Sequence, residues 1–228
     1  MSEKDIMIEA VDVNKEYRRA GAIIQALVDV NLKIKSGEFA IIQGPTGCGK
    51  STLLNVLSGL DLPDSGRIIF DGENIARSTE DRLSRLRRQK IGFVFQDFNL
   101  VRTLTAIENV ESILWPTVLR QKEIENRAVT ALRDVDLLDR KDHFPVQMSG
   151  GEKQRCAIAR AIIHRPRVIL ADEPSGNLDP QSEKEVMGLL KKINKEMETT
   201  ILVVTHRDLS AYGDKTISMD RGRIISIK

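Results

Sequence analysis

The segment Gly44-Pro45-Thr46-Gly47-Cys48-Gly49-Lys50-Ser51 constrains this chain more than any other. It fits G-x-x-x-x-G-K-[ST], and it stands between a compact apolar strand, Phe39–Gln43, and an apolar helix expected over Thr52–Ser58. Strand, glycine-rich loop and helix in that order separate a phosphate-binding loop from a glycine-rich turn with a chance lysine. The glycines let the backbone curl until successive N–H groups point inward at phosphate oxygens. The helix behind them aims its positive N-terminal end at the same anion. Lys50 adds a point charge for the β- and γ-phosphates, and the Ser51 hydroxyl can ligate Mg²⁺. The expected phosphate-contacting stretch runs from Gly44 through Pro45, Thr46, Gly47, Cys48, Gly49, Lys50 and Ser51 to Thr52. Cys48 reads as a small filler of the loop, the alternative being a thiol activated by the helix N-terminus.

Three further places carry matching chemistry. Val168–Ala171 reads as a buried strand ending in Asp172 and Glu173, at the edge where α/β sheets bind ligands. Asp172 is expected to hold the Mg²⁺, directly or through water. Glu173, alternating to the other side, is expected to polarise an attacking water. Gln96 follows the strand Ile91–Phe95, and His206 follows Ile201–Val204. Taken singly, a loop glutamine and a histidine after a strand are ordinary structural residues. With Lys50 and Asp172 they place polar groups at four strand ends, each able to touch Mg-ATP.

Short β-branched runs alternating with helical stretches predict an α/β layered fold. Ile6–Val13, Val28–Lys35, Arg67–Phe70 and Thr200–Val204 read as strands, and Thr216–Met219 with Ile224–Ile227 as a terminal hairpin. From Thr103 to about Ile163 the pattern turns helical. Ile124, Ala128, Ala131, Leu132 and Val135 form one apolar stripe; Ala157, Ile158, Ala161 and Ile162 form another. A helical segment is therefore expected inside an α/β core. The chain has 228 residues, 41% of them hydrophobic, with Lys+Arg 35 against Asp+Glu 33. That is too apolar and too balanced for disorder. It also lacks the basic excess of a nucleic-acid binder, apart from a short run at Arg82–Lys90. Two cysteines, Cys48 and Cys156, cannot build a disulfide framework or a four-ligand zinc site. The polar start Met1–Asp5 does not read as a signal peptide, and no apolar run reaches the roughly 18 residues that would span a bilayer. A soluble, intracellular, globular chain is expected.

At Met148-Ser149-Gly150-Gly151-Glu152-Lys153-Gln154-Arg155 the sequence resembles the signature of the ATP-binding cassette (ABC) ATPases, usually Leu-Ser-Gly-Gly-Gln. The resemblance covers essentially the whole chain, with the motifs in order. It implies the P-loop NTPase fold of ABC ATPases: a mixed-sheet core with an antiparallel β subdomain and an inserted helical subdomain. It divides the single domain 1–228 into a core of 1–96 and 162–228 and a helical signature part of 97–161. By the same resemblance Tyr17 stacks on adenine, Gln96 is the Q-loop glutamine that also reaches Mg²⁺, and Asp172 and Glu173 are the magnesium and catalytic carboxylates. Gly176-Asn177-Leu178-Asp179 is the D-loop, with Asp179 at the nucleotide site, and His206 is the switch histidine. Ser149, Gly150, Gly151 and Glu152 open a second helix suited to a phosphate. They are implied to complete the site of a second copy, so that two chains sandwich two ATP molecules head to tail. Met148 and Glu152 depart from the usual Leu and Gln; the first exchanges one flexible apolar filler for another, and the second is a variant the family also shows.

Ile91–Leu100 and Leu104–Val110 are similar to the ATPases of the lipoprotein-release, macrolide-export and antimicrobial-peptide-export group. That likeness implies an ATP-hydrolysing subunit at the cytoplasmic face of the membrane, held there by integral membrane permease subunits and not by nucleic acid. Gln96–Val101 and Thr105–Val118 are the expected permease contact, with Phe98, Leu100 and Trp115 as candidates. An amino-acid-type importer cassette and a cell-division-associated ABC ATPase remain as alternatives. The short stretch from Lys50 to Ser149 leaves no room for the coiled coils of chromosome-structure ATPases, and 228 residues cannot hold the two cassettes of translation-factor ATPases.

Overall fold

The computed structural model describes residues 6–19 and 21–228; the polar start Met1–Asp5, read above for a signal peptide, lies outside them. Four strands, β1 (Ile6–Arg19), β2 (Ala22–Lys35), β4 (Ser65–Phe70) and β5 (Glu73–Asn74), form an antiparallel sheet in the order β2-β1-β4-β5. The most continuously apolar runs gather in a second sheet. It comprises β3 (Phe39–Gln43), β6 (Ile91–Val94), β7 (Val168–Asp172), β8 (Thr200–Thr205), β9 (Lys215–Asp220) and β10 (Arg223–Ile227), in the order β10-β9-β3-β8-β7-β6. All of these run parallel except β10, which turns back against β9.

Strand period two sorts the side chains of this sheet into two cores. Phe39, Ile41, Ile169, Ala171, Ile201 and Val203 face one side, with the buried stripes of α3 (Ala106–Glu111), α4 (Gln121–Asp134), α5 (Gly150–Ile162) and α6 (Pro180–Glu196). Ala40, Ile42, Val168, Leu170, Leu202 and Val204 face the other, with α1 (Lys50–Leu57) and the inner face of the antiparallel sheet. Both faces are covered, which is why these strands read as unbroken apolar runs instead of alternating ones. Truncating a fully buried residue such as Leu202 to alanine would cost about 2–5 kcal/mol.

The expected fold class is present, and three details differ from the sequence reading. The first strands extend to Arg19 and begin at Ala22, because a ladder pairing Tyr17 with Ile24 continues where both strands are exposed and show no alternation. The helix after the phosphate loop starts at Lys50 instead of Thr52, so the loop's own lysine and serine form its first turn. Two unanticipated helices appear. In α2 (Glu80–Lys90) the charges of the basic run conceal a helix that buries only Leu83. In α6 the stripe Val186, Met187, Leu190 and Ile193 is buried behind an Asp-Pro start.

Candidate functional site

The parallel strands end side by side, in the order β3, β8, β7, β6, and each leads into a predicted site residue. β3 opens into the phosphate loop, where two glycines are required by contact. A Cβ on Gly44 would lie 2.2 Å from the Met219 carbonyl oxygen. Gly49 has φ +105°, and its Cβ would lie 2.3 Å from the Ala26 carbonyl oxygen, so β2 presses directly on the loop. Lys50 is only 6% exposed and folds back into the loop, donating to the carbonyls of Gly44 at 2.8 Å and Pro45 at 3.0 Å. The Cys48 thiol is buried 4.0 Å from the Lys50 ammonium and is the filler of the loop.

The start of α1 is chemically unlike that of the other α-helices. No side chain caps it, and its first turn holds no acid. Thr105 with Glu108 caps α3, Ser149 with Glu152 caps α5, and Asp179 caps α6, while α2 and α4 carry first-turn acids. The first N–H groups of a helix need acceptors from outside its own ladder. In α1 these groups, the helix dipole and Lys50 are chemically suited to an anion.

Beside it, the Ser51 hydroxyl donates to Asp172 Oδ1 at 3.1 Å. Burial pushes the Asp172 carboxyl up and the Glu173 charge adds to this, while the Ser51 hydroxyl and the Lys50 ammonium pull it down. Among the described residues no three His, Cys, Asp or Glu side chains gather into a metal site. A single carboxylate with one hydroxyl does suit Mg²⁺, which keeps waters and takes its remaining oxygens from phosphates. Glu173, at the end of β7, has φ +49°, and its N–H donates to the Val204 carbonyl at 2.9 Å. A non-glycine residue held in that region at a site is a common mark of enforced side-chain aim. Its Oε2 lies 2.5 Å from His206 Nδ1. A carboxylate only accepts, so the shared proton is assigned to Nδ1.

Gln96 departs from the expected convergence on Ser51 and Asp172. Its Nε2 donates to Asn177 Oδ1 at 3.4 Å, and Asn177 Nδ2 donates back to the Gln96 carbonyl at 3.3 Å. The amide is thus held against the D-loop. A neighbouring cluster was not legible in the sequence: Ser175 and Arg207 donate to Glu183 Oε2 at 2.9 Å and 2.6 Å, and Arg207 also reaches the Gly176 carbonyl at 3.5 Å. These residues join the segment after β8 to the D-loop and α6, and no motif links their numbers.

Ser149 Oγ accepts from the Glu152 N–H at 3.2 Å, while Glu152 accepts the Ser149 N–H at 2.8 Å. This reciprocal cap holds the Glu152 carboxyl below its ordinary value, chiefly through the Ser149 N–H. Gly150 and Gly151 lie beside Leu178 and Ser182, so the signature sits against the D-loop. Asp179 Oδ1 accepts the N–H groups of Gln181 and Ser182, each at 3.0 Å. The Tyr17 hydroxyl donates to Asp61 Oδ2 at 2.7 Å, in the turn after α1, and the residue remains 38% exposed. A cavity of about 650 Å³ borders Gly44, Pro45, His206 and Arg207. A larger one, about 720 Å³, lies between α4 and the ends of α5 and α6, remote from these groups.

The sequence profile described as ABC transporter matches residues 27–176. An uncharacterized ABC transporter ATP-binding protein of Methanocaldococcus jannaschii, MJ1508, is 45% identical over 97% of this chain and 99% of its own length. The macrolide export ATP-binding/permease protein MacB of Brucella abortus is 41% identical over 96% of this chain, which spans 34% of MacB. Among solved structures, the post-hydrolysis dimer of the ATP-binding cassette MJ0796 bound to ADP and Pi has a TM-score of 0.90 at 41% identity, covering 97% of this chain and 98% of that one.

Proposed function

Because the chain belongs to the ABC transporter family, as one of its ATP-hydrolysing cassettes, we propose that it works as a head-to-tail pair of copies that drives an export-type membrane permease. The observation that carries this reading is the pairing of two unequal helix starts, the uncapped one of α1 at the phosphate loop and the capped signature start of α5. Among the described residues no hydrogen bond joins Ser149–Glu152 to Gly44–Thr52, so a second copy is the natural donor of the signature to this phosphate site.

In this reading the α1 N–H groups and Lys50 bind the phosphates, Lys50 exchanging the Gly44 and Pro45 carbonyls for phosphate oxygens. Ser51 and Asp172 would hold Mg²⁺, which when bound neutralises phosphate charge, and Gln96 of the Q-loop would join them only on leaving Asn177. Glu173 takes a proton from the attacking water at its carboxylate, and the His206 Nδ1–H fixes that carboxylate's aim. A positioned base contributes about 10²–10⁴ in rate. Ser149 and the Gly151 N–H of the partner would complete the γ-phosphate shell, and hydrolysis would release the pair.

No helix among the described residues is long and apolar enough to cross a membrane. A separate permease chain or domain is therefore the proposed anchor at the cytoplasmic face, as the longer macrolide-export relatives suggest. The proposed contact is a groove of about 500 Å³ beside the Q-loop, lined by Phe93, Phe95, Ile113, Pro116, Arg160 and His164. Phe98 and Leu100, also read as contacts, are half-buried against the core, and Trp115 stays half exposed.

Glu173→Gln keeps the shape of the side chain and removes the base. Turnover should fall about 10²–10⁴-fold, and gel filtration with Mg-ATP should show a dimer that disappears without nucleotide. Only monomer under both conditions would overturn the paired arrangement.

A further inference from the structure

Tyr17 stands near the tip of the β1–β2 hairpin, cross-strand from the exposed Ile24. A tyrosine there would ordinarily turn freely, because nothing buries it. Here it is fastened. Tyr17 and Lys15 are two apart on β1 and so point to the same face. Both reach Asp61, in the turn that follows α1. The Tyr17 hydroxyl donates to Oδ2 at 2.7 Å and the Lys15 ammonium donates to Oδ1 at 2.8 Å. Lys15 also donates to the Leu62 carbonyl at 2.7 Å, and the Leu62 N–H closes the turn on Asp61 Oδ1 at 2.8 Å. Asp64 accepts the Glu16 N–H at 2.6 Å, so the same turn is bonded to the strand a second time.

The arrangement has a direction. The Lys15 ammonium lies 5.3 Å from the Tyr17 ring centroid, over one face of the ring. With one face taken by a cation and the hydroxyl edge by a carboxylate, the exposed remainder of the ring can receive a flat partner. The Asp61 N–H donates to the Asn55 carbonyl of α1 at 3.2 Å, which ties the turn, and with it the ring, to the helix that the phosphate loop opens. Burial works to raise the Asp61 carboxyl, yet the bonds from Lys15 and Tyr17 hold it below its ordinary value. The carboxylate therefore stays ionised as an acceptor for both.

We propose that Asp61 is a positioning residue for nucleotide binding: it fixes the Tyr17 ring relative to the phosphate loop and so sets the affinity for the base half of the ligand. This rests on the reading of Tyr17 as the adenine-stacking aromatic. Its physical basis is preorganisation, since a side chain ordered before binding need not be ordered by the ligand. Asp61 touches neither phosphates nor reacting atoms, so its effect is confined to the base.

Calorimetric titration of the full chain with ADP, and separately with pyrophosphate, tests this. In Asp61→Ala the Kd for ADP should rise about 3–10-fold, the scale of ordering one side chain, while the Kd for pyrophosphate stays within about two-fold of the wild type. Tyr17→Phe, which keeps the ring and removes the tether without disturbing the turn, should reproduce the ADP shift. Adding Asp61→Ala to it should cause little further loss, as expected of two changes that break one interaction. An unchanged ADP affinity in both single variants overturns the proposal. So does equal weakening of ADP and pyrophosphate in Tyr17→Phe, because that marks general damage to the site. Tyr17→Ala separates the two levels. If it weakens ADP while Asp61→Ala and Tyr17→Phe do not, stacking stands and positioning fails; if it leaves ADP binding unchanged, the stacking reading itself fails.

Discussion

Two helix starts in this molecule use the same backbone chemistry and differ in who satisfies it. At α1 the N-cap is Gly49, without a side-chain oxygen, and the first turn carries Lys50, Ser51 and Thr52. At α5 the N-cap Ser149 and the third residue, Glu152, satisfy each other's N–H groups. The first start is suited to an anion, because an external acceptor is the partner it lacks. The second is complete in the isolated chain. Its Glu152 carboxylate also pairs with Arg140 Nε at 3.2 Å, so this start is satisfied from within the chain. The single chain thus has one site poised for nucleotide and one surface whose role depends on what docks there.

Giving α1 the chemistry of α5 should break the contrast most sharply. Thr52 is the third residue of α1, as Glu152 is of α5. Thr52→Glu supplies an internal carboxylate to the open N–H groups and opposes the phosphates. ATP affinity measured by calorimetry should fall more than about ten-fold, against a change in thermal stability no larger than a helix cap provides, about 1 kcal/mol. Unaltered ATP binding would show that the uncapped start is incidental.

Ser149→Ala probes the other side. It removes the oxygen that accepts the Glu152 N–H, which should destabilise the chain by about 1 kcal/mol. Steady-state turnover should drop several-fold while nucleotide binding by the single chain is unchanged, since Ser149 serves a partner's site. Parallel loss of binding would place the serine in its own chain's site instead.

The smallest effect is in acid. The Glu152 carboxyl is lowered in the folded chain, so its cap contributes fully above the ordinary carboxylate value of 4.5 and loses that contribution as pH falls through the lower folded value. The Glu108 carboxyl, lowered mainly by the Thr105 N–H, behaves in the same direction. A Glu152→Gln variant should lose stability less steeply than the wild type below pH 4.5, by about a few tenths of a kcal/mol derived from thermal melts. Identical acid limbs would mean that the cap contributes nothing measurable.

The site was legible wherever contiguous residues carry it. Gly44–Ser51, Ser149–Glu152 and Asp172-Glu173 are local strings, and strand–loop–helix order fixes what their backbones can do. The buried parallel strands were legible for the same reason, since covering both faces leaves an unbroken apolar run. The outer part of the β1–β2 hairpin was not, because exposure on both faces erases the alternation that marks a strand. Nor was α2, whose charge hides its period. Gln96 marks the limit within the site: its position after β6 was clear, but the choice of Asn177 as its partner belongs to the packing of the D-loop.

By itself the sequence determined the phosphate loop, the acidic strand end, the signature and hence the family. Each depends on spacing along one short segment, where local geometry follows from residue order. Tertiary structure decided that Lys50 folds onto the carbonyls of Gly44 and Pro45, and that His206 meets Glu173. It also decided that Asp61 holds Tyr17 across 44 positions. The Lys50 contact closes within one loop, but the other two join residues far apart in the chain: His206 meets Glu173 because β7 and β8 are neighbours in one sheet, and Asp61 meets Tyr17 because the antiparallel sheet packs on α1.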